Sequence, residues 1–305
     1  MRIGCGLPQA GTLTGPAALV DVATRAEELG YDDVWVFDRL LWPLEPRAPY
    51  PPAPDGKLPE AAKAVLDPLT VLAFVAAHTR RVGLGTSVLN LPFYNPVLLA
   101  RQLTAIDVLS GGRLRLGLGT GWSPDEFEAV GAPTRVLRRR TDEALEVLKA
   151  IWTSDPVAFG GEYYRLPRAF IGPKPVQKPH PPIYFAAYTP AALERVARQA
   201  DGWLPAGLPT AAVQQMFGDL QKQARRAGRD PHRLELIVRA NLWLTEAPLG
   251  PRRAVFTGSL DEIAADIAAT RSIGAHGIIL DAQGAPQART IAGLLKLMES
   301  LRQLC

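Results

Sequence analysis

Short apolar runs rich in β-branched residues alternate with longer amphipathic stretches along almost the whole chain. The short runs have the length and composition of buried strands, and the longer stretches have the 3.6-residue spacing of helices. The pattern predicts eight strands, at Ile3–Leu7, Asp33–Asp38, Val82–Val88, Arg113–Gly119, Ile183–Ala187, Gly202–Ala206, Leu234–Leu244 and Gly277–Asp281.

A helix is predicted after each of these strands. Asp67-Pro68 and Asn95-Pro96 each combine an N-cap residue with a proline at the first helical position. The helices are predicted at Pro16–Leu29, Pro68–Thr79, Pro96–Leu109, Leu137–Trp152, Ala191–Gln199, Thr210–Ala227, Leu260–Ile273 and Gln287–Leu304. Strict alternation requires parallel strands joined by helical crossovers, so we predict an α/β fold, a single-domain (β/α)8 TIM barrel over residues 1–305.

Two proline-rich stretches interrupt the repeat, Leu40–Leu66 after the second strand and Ser154–Pro182 in the fourth unit. We expect both insertions to border the catalytic mouth of the barrel and to shape a substrate pocket. The alternative is that they are plain surface excursions.

Composition narrows the class of protein. Of the 305 residues, 47% are hydrophobic and 21% are charged, which suits a large folded core. No apolar run is long enough to cross a bilayer, and the first residues lack the apolar region of a signal peptide. Cys5 and Cys305 match no disulfide or metal framework, so we expect a cytoplasmic protein.

Charge argues against nucleic-acid binding. There are 34 Lys and Arg residues against 30 Asp and Glu residues, a net charge of +4. The arginine clusters are dispersed and no nucleic-acid-binding motif accompanies them. A mildly basic chain is compatible with an anionic small ligand.

The predicted strand ends contain few acids or bases. None of the four histidines lies at such an end, and no metal-binding motif appears, so no metal site is expected. Sites of this kind often hold a cofactor that supplies the reactivity. Gly117–Gly121 resembles a dinucleotide fingerprint with the wrong spacing, and no helix is predicted directly after it. It indicates either close approach of backbone to a flat ligand or a tight strand exit.

Four segments together resemble the bacterial luciferase-like superfamily, and within it the branch that uses the deazaflavin coenzyme F420. The longest is GLGTSVLNLPFYNPVLLARQLTAIDVLSGGRLRLGLGTGW at 83–122. The others are VWVFDRLLWP at 34–43, FGGEYYRL with GPKPVQKPHPPIY at 159–184, and VARQADGW at 196–203. The resemblance covers essentially the whole chain.

The resemblance implies a barrel that holds a flavin or deazaflavin ring at the third and fourth strands. It implies a non-prolyl cis peptide at Ser87-Val88 and contacts to the ring from Gly119, Thr120 and Gly121. It also places the cofactor phosphate at the end of the fifth strand, here at Ala187, Tyr188 and Thr189, although the glycines usual in the family are missing there.

Asp38, Arg39 and Trp122 are the candidate catalytic residues. The resemblance places Asp38 at the polar edge of the ring; the alternative is that Asp38 only pairs with Arg39. Relatives that act on sugar phosphates often have His and Glu where this chain has Arg39 and Trp122, so that activity is doubtful. Arg39 then holds an anionic or carbonyl substrate, and Trp122 either stacks on the ring or packs as a wall of the pocket.

Other side chains have less specific assignments. Trp42, Tyr50 and Tyr94 are expected either to line the substrate pocket or to anchor loops. Arginines before the fifth unit have two interpretations, contact with a cofactor phosphate or a solvated helix face: Arg135, Arg138, Arg139 and Arg140. Trp203 is expected to pack in the barrel.

The resemblance implies an F420-dependent oxidoreductase that transfers hydride between the deazaflavin and a small organic substrate with a carbonyl, imine, alcohol or activated alkene group. The alternative from the same superfamily is an FMN-dependent monooxygenase that uses O2. A third possibility is a non-catalytic protein that binds flavin or deazaflavin. Relatives are commonly homodimers, and the apolar face of Leu98–Leu109 is a candidate interface.

Overall fold

The computed structural model describes residues 1–53 and 55–305, and a closed barrel organises the chain. The strands are β1 (Arg2–Gly6), β2 (Asp33–Val36), β3 (Gly83–Thr86), β4 (Leu89–Asn90), β5 (Leu114–Gly119), β6 (Val157–Gly160), β7 (Arg165–Ala169), β8 (Ile183–Phe185), β9 (Gly202–Trp203), β10 (Glu235–Asn241), β11 (Trp243–Leu244), β12 (Thr257–Gly258) and β13 (Gly277–Asp281). Eight of them form parallel neighbours in the order β3-β2-β1-β13-β10-β9-β8-β5, and pairing of β5 with β3 closes the ring. The (β/α)8 barrel is confirmed.

Helices pack around this barrel. They are α1 (Pro16–Glu28), α2 (Pro68–His78), α3 (Pro96–Leu109), α4 (Pro124–Ala129), α5 (Leu137–Thr153), α6 (Pro190–Gln199), α7 (Thr210–Arg226), α8 (Leu260–Ser272) and α9 (Ile291–Gln303). Prolines at the first helical positions of α2 and α3 follow Asp67 and Asn95, whose side chains accept hydrogen bonds from backbone amides of the first turn. None of the helices in the described residues is long and apolar enough to span a membrane.

Several elements differ from the sequence-based expectation, beyond shifts of a few residues at their ends. The predicted strand Val82–Val88 divides into β3 and β4, and Leu234–Leu244 divides into β10 and β11. The short helix α4 was not predicted, although it begins three residues after Gly121. Its six residues are too few to show a helical period, and Ser123 begins it by accepting a hydrogen bond from the backbone amide of Glu126.

The two insertions occupy different ends of the barrel units. Residues 40–53 and 55–66 follow the carboxyl end of β2 and border the mouth, as expected. Residues 154–182 follow α5 and lead to the amino end of β8, so the expectation that this insertion begins at the mouth was wrong. It contains the antiparallel hairpin of β6 and β7, whose turn is tied to α5 because Glu143 accepts hydrogen bonds from the backbone amides of Glu162, Tyr163 and Tyr164.

The middle of the barrel is filled by a few large side chains that face glycines. Trp35 on β2 is 2% exposed and packs with Tyr184, Leu204, Ile237 and Ile279. The space for its indole comes from neighbouring strands that have no side chain there. A Cβ on Gly4 would lie 2.4 Å from Trp35 Nε1, and one on Gly85 would lie 2.2 Å from Trp35 Cε3.

Ionic groups close the amino end of the barrel below Trp35. Arg2 donates to Glu235 at 2.7 Å, Arg115 donates to Asp33 at 2.6 Å, and the Tyr184 hydroxyl donates to Glu235 at 2.6 Å. Because these residues come from five different strands, this layer links the strands around the barrel. The opposite end, where the strands finish, is left for the site.

The exposed side of α3 has apolar residues at both ends. Leu98 is 59% exposed and Leu109 is 74% exposed. The homodimer through this face stays a prediction.

We expect Gly85→Ala to destabilise the fold by about 1–3 kcal/mol, because its methyl group overlaps the indole of Trp35. The matched control is Gly218→Ala in α7, where no atom of the described residues lies within 4 Å of the added carbon. That change should stabilise the protein by up to about 1 kcal/mol, since alanine is the better helix former. Chemical denaturation measures both, and equal effects would contradict the packing described for Trp35.

Candidate active site

Asp38 is the buried carboxylate at the mouth of the barrel. Its side chain is 6% exposed and follows the end of β2. The Oδ2 atom accepts hydrogen bonds from the Asn90 backbone amide at 3.0 Å and from the Tyr94 hydroxyl at 3.1 Å. Burial raises the pKa of Asp38 to about 6, although these two donors oppose the shift and Glu126 and Asp67 add to it.

The segment between β3 and β4 lies against Asp38. The Ser87-Val88 peptide is cis, as the family resemblance implied. The carbonyl of Val88 accepts a hydrogen bond from the Asp38 amide at 3.2 Å. Ser87 is 7% exposed, and its Oγ atom has no partner in the part of the chain that the structure describes.

Arg39 is held by a buried carboxylate. Its Nη1 atom donates to Glu126 at 2.9 Å, and the side chains of the pair are 8% and 1% exposed. The guanidinium carbon lies 5.0 Å from the Trp122 ring centre and 6.0 Å from the Tyr50 ring centre. Tyr50 and Trp122 contact each other at 5.5 Å between ring centres. The two aromatic rings, tilted by 51° to each other, and the guanidinium form one cluster at the mouth.

The insertion after β2 is fastened to α4. Glu126 also accepts from the Leu40 amide at 2.8 Å, and Arg47 donates to Asp125 at 2.7 Å. Within the same insertion, Lys63 lies 4.4 Å above the ring of Trp42. The first two contacts hold the insertion against α4, with Tyr50 beside Trp122, whereas Trp42 packs against Lys63 of its own loop and its place in a substrate pocket stays a prediction.

The glycine-rich end of β5 lies beside the cis segment. A Cβ on Gly119 would lie 2.7 Å from Val88 Cγ2, so only glycine permits this approach. Gly121 has φ of +73°, a conformation that favours glycine. Thr120 between them is partly exposed. Gly119, Thr120 and Gly121 therefore border the mouth, and their contact with a cofactor ring stays a prediction.

The end of β8 has the features of a helix amino terminus. Thr189 accepts from the Ala192 amide at 3.3 Å and caps α6. The Tyr188 hydroxyl accepts from the Ala206 amide at 2.9 Å, and the ring is half exposed. Ala187 is buried, and its carbonyl accepts from Trp203 Nε1 at 2.9 Å, which confirms Trp203 as a packing residue.

The arginines before and within α5 have other partners. Arg138 lies 3.5 Å from Glu194 and Arg139 lies 3.4 Å from Glu162. Arg140 lies over the ring of Tyr164 at 5.1 Å. Arg138 and Arg139 are well exposed, which agrees with the solvated helix face.

Sequence reasoning missed two members of the site. Glu126 was overlooked because α4 is so short, although Ser123 three residues before it is an N-cap signal. Arg239 was overlooked because it lies inside a predicted strand. Side chains alternate along β10, so Arg239 shares with Glu235, Ile237 and Asn241 the face that points into the barrel.

Arg239 pairs with Asp281 at the end of the neighbouring β13. The side chains are 15% and 11% exposed. Its Nε atom donates to Asn241 Oδ1 at 2.8 Å, and its Nη1 atom donates to the Ser87 carbonyl at 2.7 Å. Like Arg39, Arg239 is thus an arginine at the mouth that is bound to a carboxylate.

Comparison with known proteins identifies the class. The sequence profile of the family described as luciferase-like monooxygenase matches residues 2–249, and the chain belongs to this family. The resemblance found in the sequence is confirmed.

The relatives found by sequence include an uncharacterized protein and a dehydrogenase. An uncharacterized protein of Mycobacterium tuberculosis is 31% identical over 220 residues, which are 72% of this chain and 75% of that protein. An F420-dependent glucose-6-phosphate dehydrogenase of Amycolatopsis mediterranei is 36% identical over 195 residues, 62% of this chain and 53% of the dehydrogenase.

Among solved structures, a monooxygenase of Streptomyces bottropensis has a TM-score of 0.80 and 25% identity, covering 99% of this chain and 98% of that one. An F420-dependent secondary alcohol dehydrogenase has a TM-score of 0.77 at 18% identity, covering 100% and 98%, and shows the shared fold.

We expect Glu126→Ala to destabilise the protein by about 3–5 kcal/mol, because it leaves the Arg39 guanidinium buried without its carboxylate. The control on the same helix is Glu128→Ala, which removes an exposed partner of Arg47 and should change stability by about 1 kcal/mol or less. Denaturant midpoints measure both. Equal changes would show that Arg39 does not depend on Glu126.

Proposed function

We propose that this protein is an F420-dependent oxidoreductase that transfers hydride between the deazaflavin and a small organic substrate. The observation that carries the proposal is the buried Asp38 carboxyl held against the cis Ser87-Val88 segment at the mouth of the barrel. F420-dependent relatives support the choice of cofactor.

The residues at the mouth fit a flat ring with a polar edge. Ser87 Oγ is buried without a partner in the described residues, so it remains free to bind a ligand. Gly119 leaves the surface beside Val88 free of a side chain. The capped amino end of α6 offers backbone amides of the kind that bind phosphate, near Tyr188 and Thr189.

When bound, F420 supplies a hydride donor or acceptor, and the protein supplies orientation and proton transfer. Asp38 has a pKa of about 6, so it exchanges a proton near neutral pH. The Tyr94 hydroxyl orients the carboxylate by donating to Oδ2. Trp122 and Tyr50 cover the site and exclude water.

The geometry also bears on the substrate. Arg39 Nη1 is already bound to Glu126, so the pair has no net charge to attract an anion. We therefore propose an uncharged substrate with a carbonyl, imine, alcohol or activated alkene group beside the aromatic wall of Tyr50 and Trp122. Sugar phosphates fit this wall less well.

A second candidate is an FMN-dependent monooxygenase that uses O2. The structural similarity to the Streptomyces bottropensis monooxygenase along nearly the whole of both chains favours it. The same mouth residues would then face a flavin.

Titration of the purified apo-protein with F420 and, separately, with FMN tests the two candidates. Trp122 lies at the mouth beside Tyr50, so we expect quenching of tryptophan fluorescence when the ring enters. The variant Trp122→Phe should lose part of this quenching. The control variant Trp243→Phe, on β11, should keep it. Tighter binding of F420 supports the proposal, tighter binding of FMN supports the monooxygenase, and binding of neither overturns both.

A second prediction concerns the pH dependence of stability. The folded pKa of Asp38 lies above its ordinary value of 3.8, so the ionised carboxylate destabilises the fold and this penalty appears as the pH rises through about 4 to 6. Asp38→Asn removes the penalty. As the pH rises from 4 to 7.5, the unfolding free energy of this variant should therefore increase by about 2–3 kcal/mol relative to that of the natural protein.

Urea denaturation at the two pH values measures this gain, with Asp21→Asn on the exposed side of α1 as the control. The control should differ from the natural protein by less than about 0.5 kcal/mol at both pH values. A stability difference for Asp38→Asn that does not change with pH would contradict the raised pKa.

A further inference from the structure

One side chain spans the mouth of the barrel from wall to wall. Around the closed ring, β10 lies four strands from β3 in either direction, so the two strands are opposite each other. Arg239 on β10 nevertheless donates from Nη1 to the Ser87 carbonyl at the end of β3, at 2.7 Å. The guanidinium therefore connects opposite walls of the mouth.

The Arg239 guanidinium is also held by groups on its own side of the barrel. Nη2 pairs with Asp281 on the adjacent β13, and Nε donates to Asn241 on the same strand. β1 leaves room for this group, because a Cβ on Gly6 would lie 2.8 Å from Asp281 Oδ1. Since all three guanidinium nitrogens already have protein partners, Arg239 is suited to holding the protein rather than a ligand.

Ser87, which accepts from Arg239, belongs to the segment that binds Asp38. Ser87 begins a four-residue segment in which the Val88 carbonyl accepts from the Asp38 amide and the Asn90 amide donates to Asp38 Oδ2. We propose that Arg239 is a positioning residue, which fixes residues 87–90 from the opposite wall and thereby sets the orientation of the Asp38 carboxyl. A shift of Ser87 would move the Asn90 amide away from the carboxylate.

The other groups that act on Asp38 come from different elements. Tyr94 donates to it from the loop before α3, while the carboxylates of Glu126 in α4 and Asp67 before α2 repel its negative charge. The Asn90 amide stabilises the ionised form, so losing that hydrogen bond should raise the pKa of Asp38 further.

The test uses the full chain without any cofactor and reads the two ends of this connection by NMR. In Arg239→Gln, we expect the Asn90 amide to exchange with solvent about tenfold faster or more. We also expect the carboxyl carbon of Asp38, assigned from Asp38→Asn, to titrate at least about half a pH unit higher. Arg239→Lys keeps the charge but reaches fewer acceptors, and should show a smaller change in both measurements.

The matched control is Arg2→Gln. It breaks the pair of Arg2 with Glu235, which lies on β10 like Arg239 but at the other end of the barrel interior. It should lower global stability without moving either signal. Unchanged exchange at Asn90 and an unchanged Asp38 titration in folded Arg239→Gln would overturn the proposal. If that variant does not fold, Arg239→Lys decides the question: signals equal to those of the natural protein would overturn it.

The catalytic importance of Asp38 rests on the proposed function, but the two signals do not. Failure of the positioning role is seen in the protein alone, whereas failure of the proposed function is seen in the cofactor titration. The two outcomes are therefore independent.

Discussion

The narrow interior of a closed eight-stranded barrel is the constraint on which the rest of this structure depends. Pairing of β5 with β3 closes the ring, and the middle layer then has space for Trp35 only because Gly4 and Gly85 face it. Large apolar side chains fill this layer, so polar groups are confined to the two ends. One end becomes an ionic base, and the other becomes the mouth that contains Asp38.

At the mouth, each element contributes one part of a shared arrangement. β2 delivers the carboxyl of Asp38, the segment after β3 delivers the amide that binds it, and α4 holds the covering insertion through Glu126. Burial raises the pKa of the Asp38 carboxyl into the range useful for proton transfer. The two proposed functions place a deazaflavin or a flavin against this same arrangement, so they differ in cofactor rather than in site.

Much of this could be predicted from the sequence. Alternation of strand and helix patterns predicted the barrel because each unit carries its own local signal, and the quoted segments implied the cis Ser87-Val88 peptide through the family resemblance. The contact between Arg239 and Ser87 had no such signal, because 152 residues separate its partners and no local pattern connects them. Helix α4 and its Glu126 were missed because six residues do not establish a period.

The arginines around the mouth share one property with a consequence for how molecules arrive there. Arg39, Arg47 and Arg239 are each bound to at least one carboxylate, so their positive charges are compensated locally. A compensated surface produces little field beyond a few ångströms. Despite the basic balance of the whole chain, we therefore expect small molecules to arrive at this opening at a rate that depends little on ionic strength.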